Sequence, residues 1–175
     1  MITIRPARIE DAPGIARVHV DSWRTTYASI VPADFLANLS YSQRTTLWED
    51  ELRNAASRQQ FVFVAENDAR EIVAFASAGP DRESNPPYQT ELYTIYSLQA
   101  YQGQGIGRRL VHALVEQLLS AGFTSMLLWV FAANPARRFY EALGGKLIKS
   151  APFEIGGVTV EEVAYGWEDI RVIVK

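Results

Sequence analysis

Between Tyr96 and Arg108 the chain runs Tyr-Ser-Leu-Gln-Ala-Tyr-Gln-Gly-Gln-Gly-Ile-Gly-Arg, which is a β-rich run, a glycine-rich loop and a helix start in direct succession. Amides at a helix N-terminus point outward unpaired and carry the positive end of the helix dipole, so this arrangement is a candidate phosphate cradle. Glycines at 103, 105 and 107 remove the side chains that would block a pyrophosphate. A plain turn has no need of so many glycines, because each costs conformational entropy. Two common cradles do not fit. A Walker loop needs Gly-Lys-Ser/Thr, whereas Gly107 is followed by Arg108 and Arg109. A dinucleotide fingerprint starting at Gly103 needs a third glycine where Arg108 stands.

The pattern that remains, Gln-x-x-Gly-x-Gly from Gln102 to Gly107, resembles the signature loop of the GNAT superfamily of acetyl-CoA-dependent N-acetyltransferases. Trp129 to Gly145, with Asn134, Phe139-Tyr140-Glu141 and Leu143-Gly144, is similar to that family's second motif, and the resemblance covers most of the chain. It implies an α/β fold, with a mixed, mostly antiparallel sheet of six to seven strands, helices on both faces, and a central parallel pair that splays around the pantetheine arm. It also implies acetyl-CoA as co-substrate, a small-molecule amine as acceptor, no metal, and assembly as a homodimer. By the same resemblance, Ser97 and Leu98 supply backbone pairing, with the Leu98 amide as the candidate donor to the thioester oxygen. The amides of Gly103, Gln104, Gly105, Ile106, Gly107 and Arg108 hold the pyrophosphate, Gln102 steadies the loop, and Arg108 or Arg109 adds charge. Tyr140 protonates the departing thiolate, and Asn134 contacts the cofactor or amine.

An alkylamine with a pKa of about 10 is protonated at neutral pH and must lose a proton before it attacks. Glu91, opening the strand before the loop, is the candidate acceptor, directly or through water. A solvated glutamate at a strand start is the simpler use of that residue. Asn134 likewise has a plain role as a helix cap. An acyl-CoA sensor without turnover would share the loop, but Tyr140 and Glu91 favour an enzyme. Trp23, Tyr27, Trp48, Tyr88 and Tyr93 are candidates for an acceptor wall or for ordinary packing. His19 and His112 read as core or surface filler.

The elements that must position these residues follow from periodicity. Residues 2–5 form a short edge strand ended by Pro6, and 11–27 and 32–53 carry helical stripes, the latter as one helix or two. Residues 61–66 and 71–78 are β-rich runs around a hairpin turn, and 79–90 form a loop. A strand at 91–98, a helix from Gly105 to Ser120 and a strand at 126–131, apolar throughout, make a β-α-β unit with a parallel pair. Asn134-Pro135 then opens a helix that ends at Gly144-Gly145, and strands at 146–150 and 158–167 flank the turn at Gly156-Gly157.

Composition bounds the rest. The 175 residues, 48% of them apolar, suffice for one core and predict a single domain over 1–175. With 17 Lys and Arg against 20 acidic residues, no basic footprint for nucleic acid is present. The absence of an apolar run of roughly 18 residues, and of a basic-then-apolar start, predicts no membrane association and a cytoplasmic location. Zero cysteines leave no thiol to carry an acyl group, so transfer is expected to be direct.

Overall fold

The computed structural model describes all residues from Met1 to Lys175. Seven strands form one sheet in the order β1-β2-β3-β4-β5-β7-β6. They are β1 (Thr3–Pro6), β2 (Phe61–Glu66), β3 (Ile72–Pro80), β4 (Thr90–Ser97), β5 (Met126–Phe131), β6 (Lys146–Ile155) and β7 (Val158–Trp167). Every neighbouring pair is antiparallel except β4 and β5. The helices are α1 (Ala12–Thr26), α2 (Ala33–Ala37), α3 (Tyr41–Asn54), α4 (Ile106–Ser120) and α5 (Arg137–Ala142).

Period-two alternation in the strands explains why both faces of the sheet are covered. On β2, Val62 and Val64 pack beneath α1 and α3 with Ile15, Val18 and Trp48, while Phe61, Phe63 and Ala65 face α4. The α4 stripe of Leu110, Val111, Leu114 and Leu118 is fully buried against that second face, at 0–1% exposure. Ala74, Ala76 and Ala78 of β3 belong to the same cluster. A third cluster joins Tyr27, Val31 and Leu36 to Phe131 and Ile155, so the α1–α2 segment rests on the far end of β5 and on the β6–β7 hairpin.

Three boundaries differ from the sequence reading. The expected loop at 79–90 starts later, because β3 keeps pairing with β4 through Gly79 and Pro80. Strand β6 runs on to Ile155 through Pro152, which the sheet tolerates because β6 is an edge strand and needs no donor there. The helix expected from Asn134 begins at Arg137 instead. Its lead-in is closed by i→i+3 bonds, Arg137 N to Asn134 O at 3.2 Å and Phe139 N to Ala136 O at 2.9 Å. The capping chemistry survives, since Asn134 Oδ1 accepts from Ala136 N at 2.9 Å. The stretch left open as one helix or two is two, α2 and α3, with Ser40 capping the second through Gln43 N.

His19 is a buried member of the α1 core. Its ring stacks on Tyr96 at 5.1 Å and its Nδ1 accepts from Trp48 Nε1 at 3.2 Å. Desolvation, helped by Arg44, pushes its pKa from 6.5 down to about 3. The unfolded chain therefore binds a proton on this ring below pH 6.5 that the folded chain refuses until about pH 3. Stability falls as pH falls through that window, with a slope from this one group of up to about 1.4 kcal/mol per pH unit. Denaturant titrations of wild type and His19→Asn between pH 7 and 4 should show a steeper loss in the wild type, and parallel curves would refute a neutral buried ring.

Candidate active site

The site arises where the central strands part. β4 pairs with β5 only at Thr90–Met126 and Glu91–Leu127. Thr90 rivets that end, its amide and Oγ1 both donating to Ser125 O at 3.2 and 2.8 Å. Past Leu92 the β4 strand carries an extra residue, Tyr93, between the pairs Ala78–Leu92 and Ser77–Thr94. Such a bulge bends its strand and reverses which residues point to which neighbour. From there on Leu98 N donates to Val73 O at 3.0 Å, so the amides of Ile95 and Ser97 turn away from β3 and across the gap toward β5. Leu98 was the expected oxyanion donor, but its amide is committed to β3, whereas the Ser97 amide faces the gap.

A cavity of about 750 Å³ fills the gap and is lined from Gly103, Gly105 and Arg108 at one end to Trp23, Tyr27 and Glu162 at the other. At the first end no protein acceptor takes the backbone amides of Gly103, Gln104, Gly105, Ile106, Gly107 or Arg108, and the first helical bond is Arg109 N to Gly105 O. Gly103 and Gly105 stand at φ of +72° and +75°, the left-handed region that an L side chain enters only with strain. Gln102 Nε2 donates to Ser97 O at 3.2 Å, tying the loop to the end of β4, and Gln104 Nε2 donates to Ala100 O at 2.9 Å, tying it to the short turn at Gln99–Tyr101. Ile106 is buried and anchors the first turn of α4. The residues fit a pyrophosphate, with open amides, no Cβ in the way, and the Arg108 side chain on the cavity wall. Arg109 donates instead to Ile2 O at 2.9 Å and is not part of that wall.

Tyr140 reaches the cavity from α5, a helix of six residues that could not hold itself. Tyr165 of β7 pins it, donating to Glu141 Oε1 at 2.6 Å and accepting from Arg137 Nε at 3.0 Å. Trp167 Nε1 holds the helix end through Leu143 O at 2.9 Å. The Tyr140 hydroxyl makes no hydrogen bond within the chain and opens on the cavity. Burial raises its pKa further above the usual 10, so it keeps its proton at neutral pH. Asn134 lines the same wall. Glu91 is 3% exposed, and both its carboxylate oxygens are taken by Arg82, at 2.9 and 2.5 Å. Arg82 in turn lies 4.6 Å over the Tyr93 ring.

Of the proposed acceptor aromatics, Trp23, Tyr27 and Tyr93 line the cavity, whereas Trp48 serves the His19 core and Tyr88 packs against Gly166. The sequence reading missed Tyr96, Phe131, Phe153, Arg82 and Glu162, all of which line it. For Glu162 a signal existed, namely an acidic pair, Glu161-Glu162, inside an apolar strand. Burial, together with the Glu83 and Glu91 charges, raises the Glu162 pKa above the usual carboxylate range.

A seven-stranded sheet with one splayed parallel pair, a glycine cradle at the following helix and a tyrosine facing the gap define an acyl-CoA-dependent acetyltransferase. Residues 21–145 match the model of the acetyltransferase (GNAT) family, and the chain belongs to that family as an acetyl-CoA-dependent N-acetyltransferase. It is 42% identical over 173 residues to the uncharacterized N-acetyltransferase YuaI of Bacillus subtilis strain 168, covering 99% of this chain and 96% of that one. An L-methionine sulfoximine/L-methionine sulfone acetyltransferase of Pseudomonas paraeruginosa is 30% identical over 137 residues, 77% of this chain and 73% of its own. Among solved structures, the PaiA N-acetyltransferase of Thermoplasma acidophilum with coenzyme A superposes with a TM-score of 0.75 at 21% identity, over 93% of this chain and 98% of that one. YncA of Salmonella typhimurium with acetyl-CoA gives 0.73 at 20% identity, over 97% and 94%.

Replacing Gly105 by alanine places a Cβ at a left-handed position, a strain of about 1–2 kcal/mol that the loop relieves by turning its amides. Calorimetric titration should show acetyl-CoA affinity reduced by about tenfold. An unchanged affinity would remove the loop from the binding site.

Proposed function

We propose that residues 1–175 act as one catalytic domain that moves the acetyl group of acetyl-CoA onto a primary amine of a small molecule or peptide, by direct attack in a ternary complex. The observation that carries this reading is the single cavity, which joins the open amides of the Gly103–Arg108 loop to an aromatic chamber past the Tyr140 hydroxyl. Donor and acceptor then meet without an acyl-enzyme, and the chain has no cysteine to form a thioester. The methionine sulfoximine acetyltransferase among its relatives is consistent with a small acceptor.

In this scheme Ser97, and not Leu98, donates its backbone amide to the oxygen on which charge develops during attack. Ile95 and Ser97 pair with the pantetheine arm as a missing strand would. Glu91 accepts the amine proton through water, its carboxylate held in place by Arg82. Tyr140, protonated because it is buried, donates to the leaving thiolate.

Thiol release from acetyl-CoA in the presence of primary amines tests the reading directly. Tyr140→Phe should lower kcat by about 10²–10⁴ while leaving the Kd for acetyl-CoA within about twofold. Equal losses in both would assign the hydroxyl a structural role only, and tight acetyl-CoA binding with no release from any amine would make the chain a sensor.

A further inference from the structure

The charged side chains lining the cavity are Arg82, Glu91, Arg108 and Glu162, and Arg108 sits at the α4 end. Arg82 spends its guanidinium on Glu91. Glu162 has neither an ion-pair nor a side-chain hydrogen-bond partner, although it is half-buried on β7 opposite Phe131 of β5. The cation whose charge acts on it is Arg82, and that guanidinium is already bound to Glu91. Arg24 is bound to the carbonyls of Leu36 and Leu39, at 3.2 and 2.9 Å, and Lys149 to Asn85 Oδ1 at 2.6 Å, and neither lines the cavity. The acceptor end therefore sets two carboxylates, Glu91 and Glu162, against one guanidinium.

Around it stands an apolar wall. The Trp23 and Tyr27 rings lie 4.8 Å apart, Tyr27 and Phe131 5.2 Å, and Phe131 and Phe153 5.9 Å, mostly edge to face. Such faces favour a cation carried on an apolar body. A carboxylate next to the reacting amine would meet two glutamates and no free cation.

We propose that Glu162 is the specificity-determining residue for the acceptor, and that the acceptor is a protonated amine on an apolar body with no carboxylate beside it. This rests on the acetyl-transfer reading of the same cavity. Glu162 gathers the ammonium from solvent, and the aromatic wall holds the rest of the molecule while one proton leaves through Glu91.

The test is thiol release with pairs of acceptors matched in body, phenethylamine against phenylalanine and hexylamine against norleucine. The plain amine should be preferred by about 10²-fold or more in kcat/KM, since like charges brought together at a binding site are strongly penalised. Glu162→Gln, close to isosteric on a half-exposed position, should raise KM for the plain amines by about tenfold and narrow the preference. Its kcat at saturation and its acetyl-CoA Kd should change little. Glu162→Asp should restore much of the preference, which a merely structural role would not do. Equal or better turnover of the amino acids, or a preference untouched in Glu162→Gln, overturns the proposal while leaving acetyl transfer intact. Failure of every amine to release thiol overturns both.

Discussion

Between β4 and β5 the hydrogen-bond ladder closes at two positions and then stops. A parallel pair in the middle of a sheet would ordinarily continue, because an unpaired amide buried away from solvent costs as much as a lost hydrogen bond. Here two features keep the strands apart. The Thr90–Ser125 bonds clamp one end, and the extra residue at Tyr93 bends β4 away from its neighbour. The amides beyond that point are left facing a cavity, where water or a strand-like ligand must satisfy them. A peptide-like pantetheine arm has the right chemistry for that edge.

The rest of the architecture keeps that break open. β3 holds β4 from behind through Leu98 N and the Ser77–Thr94 hydroxyl pair at 2.6 Å. β7 supports β5 along its whole length, from Met126–Trp167 to Phe131–Glu162. Apart from the bulge at Tyr93, both strands are thus paired along their outer sides, so neither can swing inward without breaking a ladder. Tyr165 ties α5, and with it Tyr140, to the same β7.

Legibility in the sequence followed the range of the interaction. The geometry of the glycine-rich loop was legible because glycines at φ of +72° and +75° and a helix N-terminus are local facts within a few residues. Strands β2, β5 and β7 were readable to the residue because each is bounded by turn chemistry. The start of α5 was misplaced because Asn134-Pro135 is the same signal for a tight i→i+3 turn as for a helix cap. The orientation of the Leu98 and Ser97 amides was hidden for a different reason. Which amide faces the gap depends on parity along β4, and one bulge residue, defined only by pairing with β3, reverses that parity. The Arg82–Glu91 pair and the isolation of Glu162 are contacts between distant segments, with no local signature beyond an acidic pair in an apolar strand.

The two ends of the cavity also differ in charge, and this difference orders the reaction. The α4 end offers free amides, the positive end of a helix dipole and Arg108, which suit a pyrophosphate. The far end carries Glu91 and Glu162 against Arg82 alone, so a phosphate entering from that side would meet net repulsion. On the proposed transfer, a donor with a multiply charged head therefore lies along the gap in one direction only, its uncharged thioester tip between the strands. In that proposed transfer, an ammonium approaching the other end is drawn toward the same tip by the opposite field. The broken ladder makes the room, and the polarity of the charges lining it decides which substrate enters from which side.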